Sequence, residues 1–344
     1  MLITGATGFV GSHVAEAFLA AGRPVRLLVR DPARAEALRR AGAELVRGSL
    51  ADGAALRDAV KGVQVVAHLA AATRAGSPAE FERVNAEGTR AVLEAMLAEP
   101  EGPGRAETVG QAAAGPVGSA ARRPTKLVYL SSLSAVGPAR SGRPVERGDT
   151  PGPLTAYGRS KWRGEEIVLG AADRLAVVVL RAPAVYGPRD RDLFTFFRLA
   201  SLGVLPVPTG PDRRIQMVHV RDLAEAVVAA ADAAEAKGVY HVAEPRSYAW
   251  REVLDLVAAA VGRRGRVVPL PAGLLRAAGA ASEGWSRLRR RPGVFDRDKA
   301  SELLAEGWLC ETDAARDELG FEARTPLDRG LRETAEWYRR EGWL

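Results

Sequence analysis

What most constrains this chain is an alternation. Short apolar runs of strand length recur along it, and alanine-rich stretches of helix length separate them. Leu2 and Ile3 open the series, and 25–29, 44–46, 63–69, 126–131 and 176–180 continue it. Between them lie helical patterns at 13–21, 32–41, 54–60, 79–97 and 156–169. Strands joined in this way run parallel, with right-handed crossovers that place helices on both faces of one sheet. The pattern predicts an α/β fold built on a doubly wound parallel sheet.

Two stretches break the alternation. Residues 99–125 are rich in Gly, Pro and Ala with no apolar period, which predicts a flexible surface insertion. From Pro183 onward Pro and Gly become denser. The expected division is therefore a sheet domain over 1–182 and a smaller C-terminal α+β domain, the substrate side, over 183–344. Residues 216–243 are expected to return to the first sheet.

Composition narrows the function. With 47% hydrophobic and 26% charged residues the chain reads as an ordinary globular protein. A single cysteine, Cys310, leaves no disulfide framework, and His13, His68, His219 and His241 show no ligand spacing, so no metal site is expected. No apolar run approaches the roughly 20 residues that span a bilayer, and no leader precedes the first strand, so a cytoplasmic protein is expected. The net charge of +7 is spread over helices among acidic partners, which argues against nucleic acid. The exception is the basic run 287–291, at the end of a stretch (267–291) that combines an apolar helix, Trp285 and arginines, as do helices lying on anionic membranes. Packing over the substrate cleft is the plainer reading of that stretch.

Two places carry chemistry. TGATGFVG sets Gly5, Gly8 and Gly11 between the first strand and the first helix, a turn that lets a pyrophosphate approach backbone N–H groups at a helix N-terminus. In YGRSK, Tyr157 and Lys161 stand four apart and share one helix face. A lysine ammonium near a phenol lowers its pKa toward the working range of an acid or base. Ser132, 25 residues earlier at the end of a strand, can reach the same cleft.

Together these stretches resemble the extended short-chain dehydrogenase/reductase family. The branch is that of NAD-dependent epimerase/dehydratase-like, dihydroflavonol-reductase-like and 3β-hydroxysteroid-dehydrogenase-like proteins. HLAA at 68–71, VNAEGT at 84–89, LRAPAVYGPRD at 180–190 and VHVRDLAEA at 218–226 add to the likeness, which covers nearly the whole chain. The resemblance implies a Rossmann-type sheet and an NAD(P)-dependent oxidoreductase moving hydride between nicotinamide C4 and a ketone or secondary alcohol of a small organic substrate. It implies Tyr157 as general acid/base, Lys161 on the nicotinamide ribose, Ser132 positioning the reacting oxygen, and Asn85 beside the active site. Gly5, Thr7, Gly8, Phe9 and Val10 match the pyrophosphate turn, and Leu69, Ala70 and Ala71 the wall beside the adenosine ribose. Ser131, Pro183 and Val185 match the nicotinamide surroundings. Ser49 and Leu50 stand where the family often has Asp-Leu before the adenine.

Arg30 ends the second strand, where NAD-preferring relatives carry a carboxylate, so NADP is favoured, with Asp31 as the residue that would instead suit NAD. Leu133 and Ser134 replace the Asp-Glu pair of nucleotide-sugar dehydratases. A nucleotide-sugar epimerase stays open as an alternative, with Arg189, Arg191, Arg213 and Arg214 as candidate diphosphate ligands. So does a non-catalytic NADP sensor, which would have no need of the tyrosine and lysine pair. The expected partner is a small-molecule carbonyl or alcohol, with homodimerisation open.

Overall fold

The structure, a computed structural model, describes residues 1–98, 125–289 and 295–344. The insertion expected at 99–125 lies outside the described residues except for Thr125, and so do Arg290 and Arg291 of the basic run.

Strands β1 (Leu2–Thr4), β2 (Arg26–Val29), β3 (Glu44–Arg47), β4 (Val65–His68), β5 (Lys126–Ser132) and β6 (Ala176–Ala182) form one sheet with the strand Gly238–His241. All its pairings are parallel, in the order β3-β2-β1-β4-β5-β6 with Gly238–His241 at the edge beside β6. The order reverses between β1 and β4. In a doubly wound sheet the crevice at that reversal, outside the strands' carboxyl ends, is where ligands bind.

Alternating side chains build two cores. Ile3, Leu27 and Val29 face the helices Phe9–Ala20 and Val220–Asp232, where Val14, Phe18, Leu223 and Val227 complete one cluster. Leu2, Leu28 and Val66 point the other way, toward Leu56, Val92, Met96 and Val168 on the helices Gly53–Val60, Gly88–Ala98 and Ala156–Leu169. Fully burying one such side chain stabilises by about 1.5–3 kcal/mol. A third cluster lies in the C-terminal part around Tyr186, Phe197, Leu254, Val257, Leu331 and Tyr338, with Phe194, Phe196, Trp250 and Trp337 packed against it.

Two elements differ from the sequence reading. The single helix expected at 79–97 is broken into Pro78–Glu82, a π-helical turn Arg83–Glu87, and Gly88–Ala98. Periodicity does not show this break. The Asn85 carbonyl accepts from Thr89 Oγ1 at 2.7 Å, while the Asn85 side chain bonds outward. Within the stretch expected to return to the first sheet, Met217–His219 is a strand pairing with Ala184–Tyr186 instead, while Gly238–His241 does join the sheet.

Candidate active site

The glycine turn comes first in the chain. Gly5 has φ +78°, and a Cβ there would lie 2.7 Å from the Ala70 nitrogen, so only glycine lets the end of β1 pass this close to the end of β4. Gly8 is exposed and precedes the helix Phe9–Ala20, whose first turn is capped by no side chain. Thr7, Phe9 and Val10 stand half-buried around it. Uncapped amide groups at a helix N-terminus behind a side-chain-free turn fit the diphosphate of a dinucleotide.

The wall beside this turn is braced by a residue that sequence reasoning quoted without assigning. His68 bonds Thr4 Oγ1 through Nδ1 at 2.7 Å and Thr89 Oγ1 through Nε2 at 2.9 Å, and Thr4 Oγ1 also accepts from the Ala70 amide at 3.3 Å. Burial, helped by the Lys161 charge, lowers the His68 pKa to about 3, so the imidazole is a neutral brace. Leu69 and Ala70 are thereby held at the mouth of the crevice, and Ala71 is exposed beside them.

Arg30 lies exposed at the end of β2. Arg34 and Arg47 are exposed nearby in the fold, Arg47 being registered opposite Val29 on β3. The Asp31 carboxylate caps the next turn, accepting from the Ala33 amide at 3.1 Å. Ser49 Oγ accepts from Ala51, and Leu50 packs against the second core, which leaves both half-buried past the end of β3.

The helix Ala156–Leu169 brings Tyr157 and Lys161 to the end of β5, with Thr155 as its N-cap, accepting from the Gly158 amide at 3.0 Å. The Tyr157 phenol lies beside Ser132, and its ring lies 5.9 Å from that of Phe81. Burial raises the phenol pKa to about 12, against the lowering effect of Ser132, and the Glu302 carboxylate adds to the rise. Lys161 is not among the groups that shift it. Lys161 Nζ donates to the Leu130 carbonyl at 2.8 Å and lies 4.1 Å from the Tyr129 ring centroid, so its charge is spent elsewhere. Burial lowers its own pKa to about 7, opposed by Glu165 one turn on.

Two further expected residues serve as supports. Asn85 is fully buried, its Oδ1 accepting from Ala72 at 2.7 Å and its Nδ2 donating to the Ala72 carbonyl and to Ser160 Oγ at 2.9 Å. It therefore ties the loop after β4 to the helix that carries Tyr157. Ser131 Oγ donates to Glu165 at 2.5 Å, away from Ser132's side of the strand, so any contact it makes with a cofactor must come from its backbone. Glu165 is itself doubly bonded to Arg181, both fully buried. Pro183 and Val185 follow β6, where Val185 pairs with Val218.

Sequence reasoning also missed the other side of the cleft. From the helix Arg297–Leu304, Asp298 accepts from the Ala156 amide at 2.7 Å, and Glu302 accepts from Ser134 Oγ at 3.3 Å while pairing with Lys299 at 3.1 Å. Asp298 and Glu302 are four apart and share a face, but nothing local shows that the face meets a helix over 140 residues earlier.

A sequence profile of the NAD dependent epimerase/dehydratase family matches residues 1–243. This chain belongs to that family. It is an NAD(P)-dependent enzyme of the extended short-chain dehydrogenase/reductase type. A ceramide reductase of Caulobacter vibrioides is 34% identical, over 99% of this chain and 95% of its own length. A farnesyl-dihydroquinoline-oxide ketoreductase of Stigmatella aurantiaca is 26% identical, over 96% and 93%. Among solved structures, MoeE5 in complex with UDP-glucose and NAD is 25% identical with a TM-score of 0.73, over 99% of this chain and 98% of its own. Among the described residues, no helix is long and apolar enough to cross a membrane.

Proposed function

We propose that this family member reduces a ketone on a large, mainly apolar substrate, using NADP(H), with Tyr157 delivering the proton. The observation that carries this reading is the state of Tyr157. Half-buried beside Phe81 and with its pKa raised to about 12 by desolvation, the phenol keeps its proton through the physiological range and is poised to donate. The bound nicotinamide would supply the hydride to the carbonyl carbon. As the C=O bond opens, the oxygen takes the phenolic proton, Ser132 holds that oxygen, and solvent restores the proton to Tyr157. Asn85 keeps the helix registered against the loop after β4, Lys161 offers its ammonium to the nicotinamide ribose, and the segment from 183 onward supplies the substrate side.

The apolar substrate class rests on the relatives, named for a ceramide and for a farnesylated ring, together with Phe81 beside the phenol and the exposed Leu154 just before its helix. NADP is favoured by three exposed arginines at the ends of β2 and β3, and by the commitment of Asp31 to a cap.

UDP-glucose in a solved relative favours a second reading, a nucleotide-sugar epimerase. Against it, the four arginines considered for a diphosphate all have local partners. Arg189 bonds Ser12 and Glu16, Arg191 lies over Trp343, Arg213 bonds the carbonyls of Thr209 and Pro211, and Arg214 bonds Ser247. Incubation with NADPH or NADH and a panel of long-chain ketones and UDP-sugars, read as loss of the reduced cofactor, tests the proposal. Consumption of NADPH with long-chain ketones is expected. Interconversion of UDP-sugars without net cofactor use would overturn it.

A further inference from the structure

Among the described residues four large apolar side chains stand exposed, Leu202 at 73%, Leu274 at 56%, Leu154 at 44% and Val268 at 36%. Three of them belong to one unit. Leu202 precedes the strand Val204–Pro208, Val268 lies in its parallel partner Arg266–Leu270, and Leu274 is in the first turn of the helix Ala272–Arg289 that follows. On that helix the exposed positions 274, 277, 278 and 281 are spaced i, i+3, i+4, i+7, so they form one face, and it holds only Leu and Ala. A helix at a protein surface ordinarily turns such a face inward.

In the same unit Arg263, Arg264 and Arg266, at the start of the strand, and Arg276, on the helix, are all exposed. None has an ion pair among the described residues, whereas Arg39, Arg143 and Arg316 elsewhere on the surface are each paired. We infer that this face docks on an anionic lipid surface, its leucines and valine entering the interface and its arginines meeting the headgroups. A second copy of the chain fits poorly, because a two-fold contact would set the same unpaired arginines against one another. The inference stands on the surface alone and does not need the reductase reading.

Its place in the fold gives it a use. A Cβ on Gly279 would lie 2.7 Å from the Asp296 carbonyl oxygen, so the docking helix rests directly on the turn that opens Arg297–Leu304. That next helix carries Asp298 and Glu302 to Ala156 and Ser134. A bilayer under the first helix would therefore lie one helix away from the cleft, and an apolar substrate could pass from one to the other.

The test is sedimentation of the full chain with vesicles of phosphatidylcholine alone and of phosphatidylcholine mixed with phosphatidylglycerol, for the parent, for Leu274→Glu, and for Arg264→Glu with Arg266→Glu. All the replaced side chains are exposed, and matching melting curves confirm that the variants fold. Binding to the anionic vesicles and little to the neutral ones is expected. Reversal of the two arginines should lower partitioning at least about tenfold. Leu274→Glu should also weaken binding, and added salt should release the protein. Equal binding to both vesicles, no binding to either, or a dimer in solution that Leu274→Glu dissociates would overturn the inference.

Discussion

On the sheet side of the cleft Asn85, Lys161, Glu165 and Arg181 are at most 2% exposed; Asn85, Lys161 and Glu165 are each held by more than one partner, and Arg181 is held by Glu165 alone. On the opposite side Glu302 keeps 17% of its side chain exposed and Lys299 keeps 50%, and the helix that carries them reaches the Tyr157 helix through Asp298 and the turn after β5 through Glu302. A buried network in which most polar groups are partnered restrains geometry, because alternatives leave more of them unpaired. A half-exposed contact can be exchanged for water at little cost. On the proposed reading, the sheet side would set where the proton and hydride meet, and the C-terminal side would adjust the field and admit the substrate.

The largest effect that sharpens this contrast is loss of the proton donor. Tyr157→Phe should lower turnover by about 10²–10⁴-fold while leaving cofactor affinity nearly unchanged, as steady-state rates and nucleotide titration would show. Next is the buried ion pair. Glu165→Ala leaves Arg181 charged and buried, and denaturant unfolding should show a loss of about 3–5 kcal/mol. The pair Lys299–Glu302 on the opposite side should contribute at most about 1 kcal/mol. If the two pairs proved equal, the division into a fixed and a yielding side would fail.

How much of this was legible depends on how local the cause is. The sheet, its helices, the Gly5 turn and the Tyr157–Lys161 spacing follow from period and propensity, which act over a few residues. The π turn at Asn85 was not legible, and neither was the bond its side chain makes to Ser160, 75 residues away. Nor was the commitment of Ser131 to Glu165, since two adjacent serines at a strand end look alike until the strand has a sheet around it. Lys161 was placed on the right helix face. That its ammonium is turned toward Leu130 and Tyr129 was not legible, because both lie on β5, some thirty residues earlier in the chain.

Smaller effects test the edges of the contrast. Arg30→Asp should lower the ratio of NADP to NAD affinity at least about tenfold by removing a charge-assisted contact and adding a repelling carboxylate, measured by titrating both nucleotides. For Lys161 the sign follows from its lowered pKa. Between about 7 and the usual 10.5 the folded chain binds fewer protons than the unfolded one, so this group's contribution to stability rises with pH across that window. Lys161→Met removes the slope, and its stability relative to the parent should be greatest below pH 7 and decline toward pH 10.5 in melting curves. The smallest effect is expected at Glu302. Its carboxylate raises the Tyr157 pKa, so Glu302→Gln should move the limb of the rate profile that reports phenol ionisation to lower pH, by less than about one unit, with little change in melting temperature.

The most direct test of the central claim follows the hydride. With NADPH deuterated at the transferring C4 position and a long-chain ketone that the enzyme consumes, reduction predicts a released alcohol carrying deuterium at the carbinol carbon, formed in step with oxidised cofactor and abolished in Tyr157→Phe. Turnover that returns the deuterium to the cofactor, with no alcohol released, would contradict it.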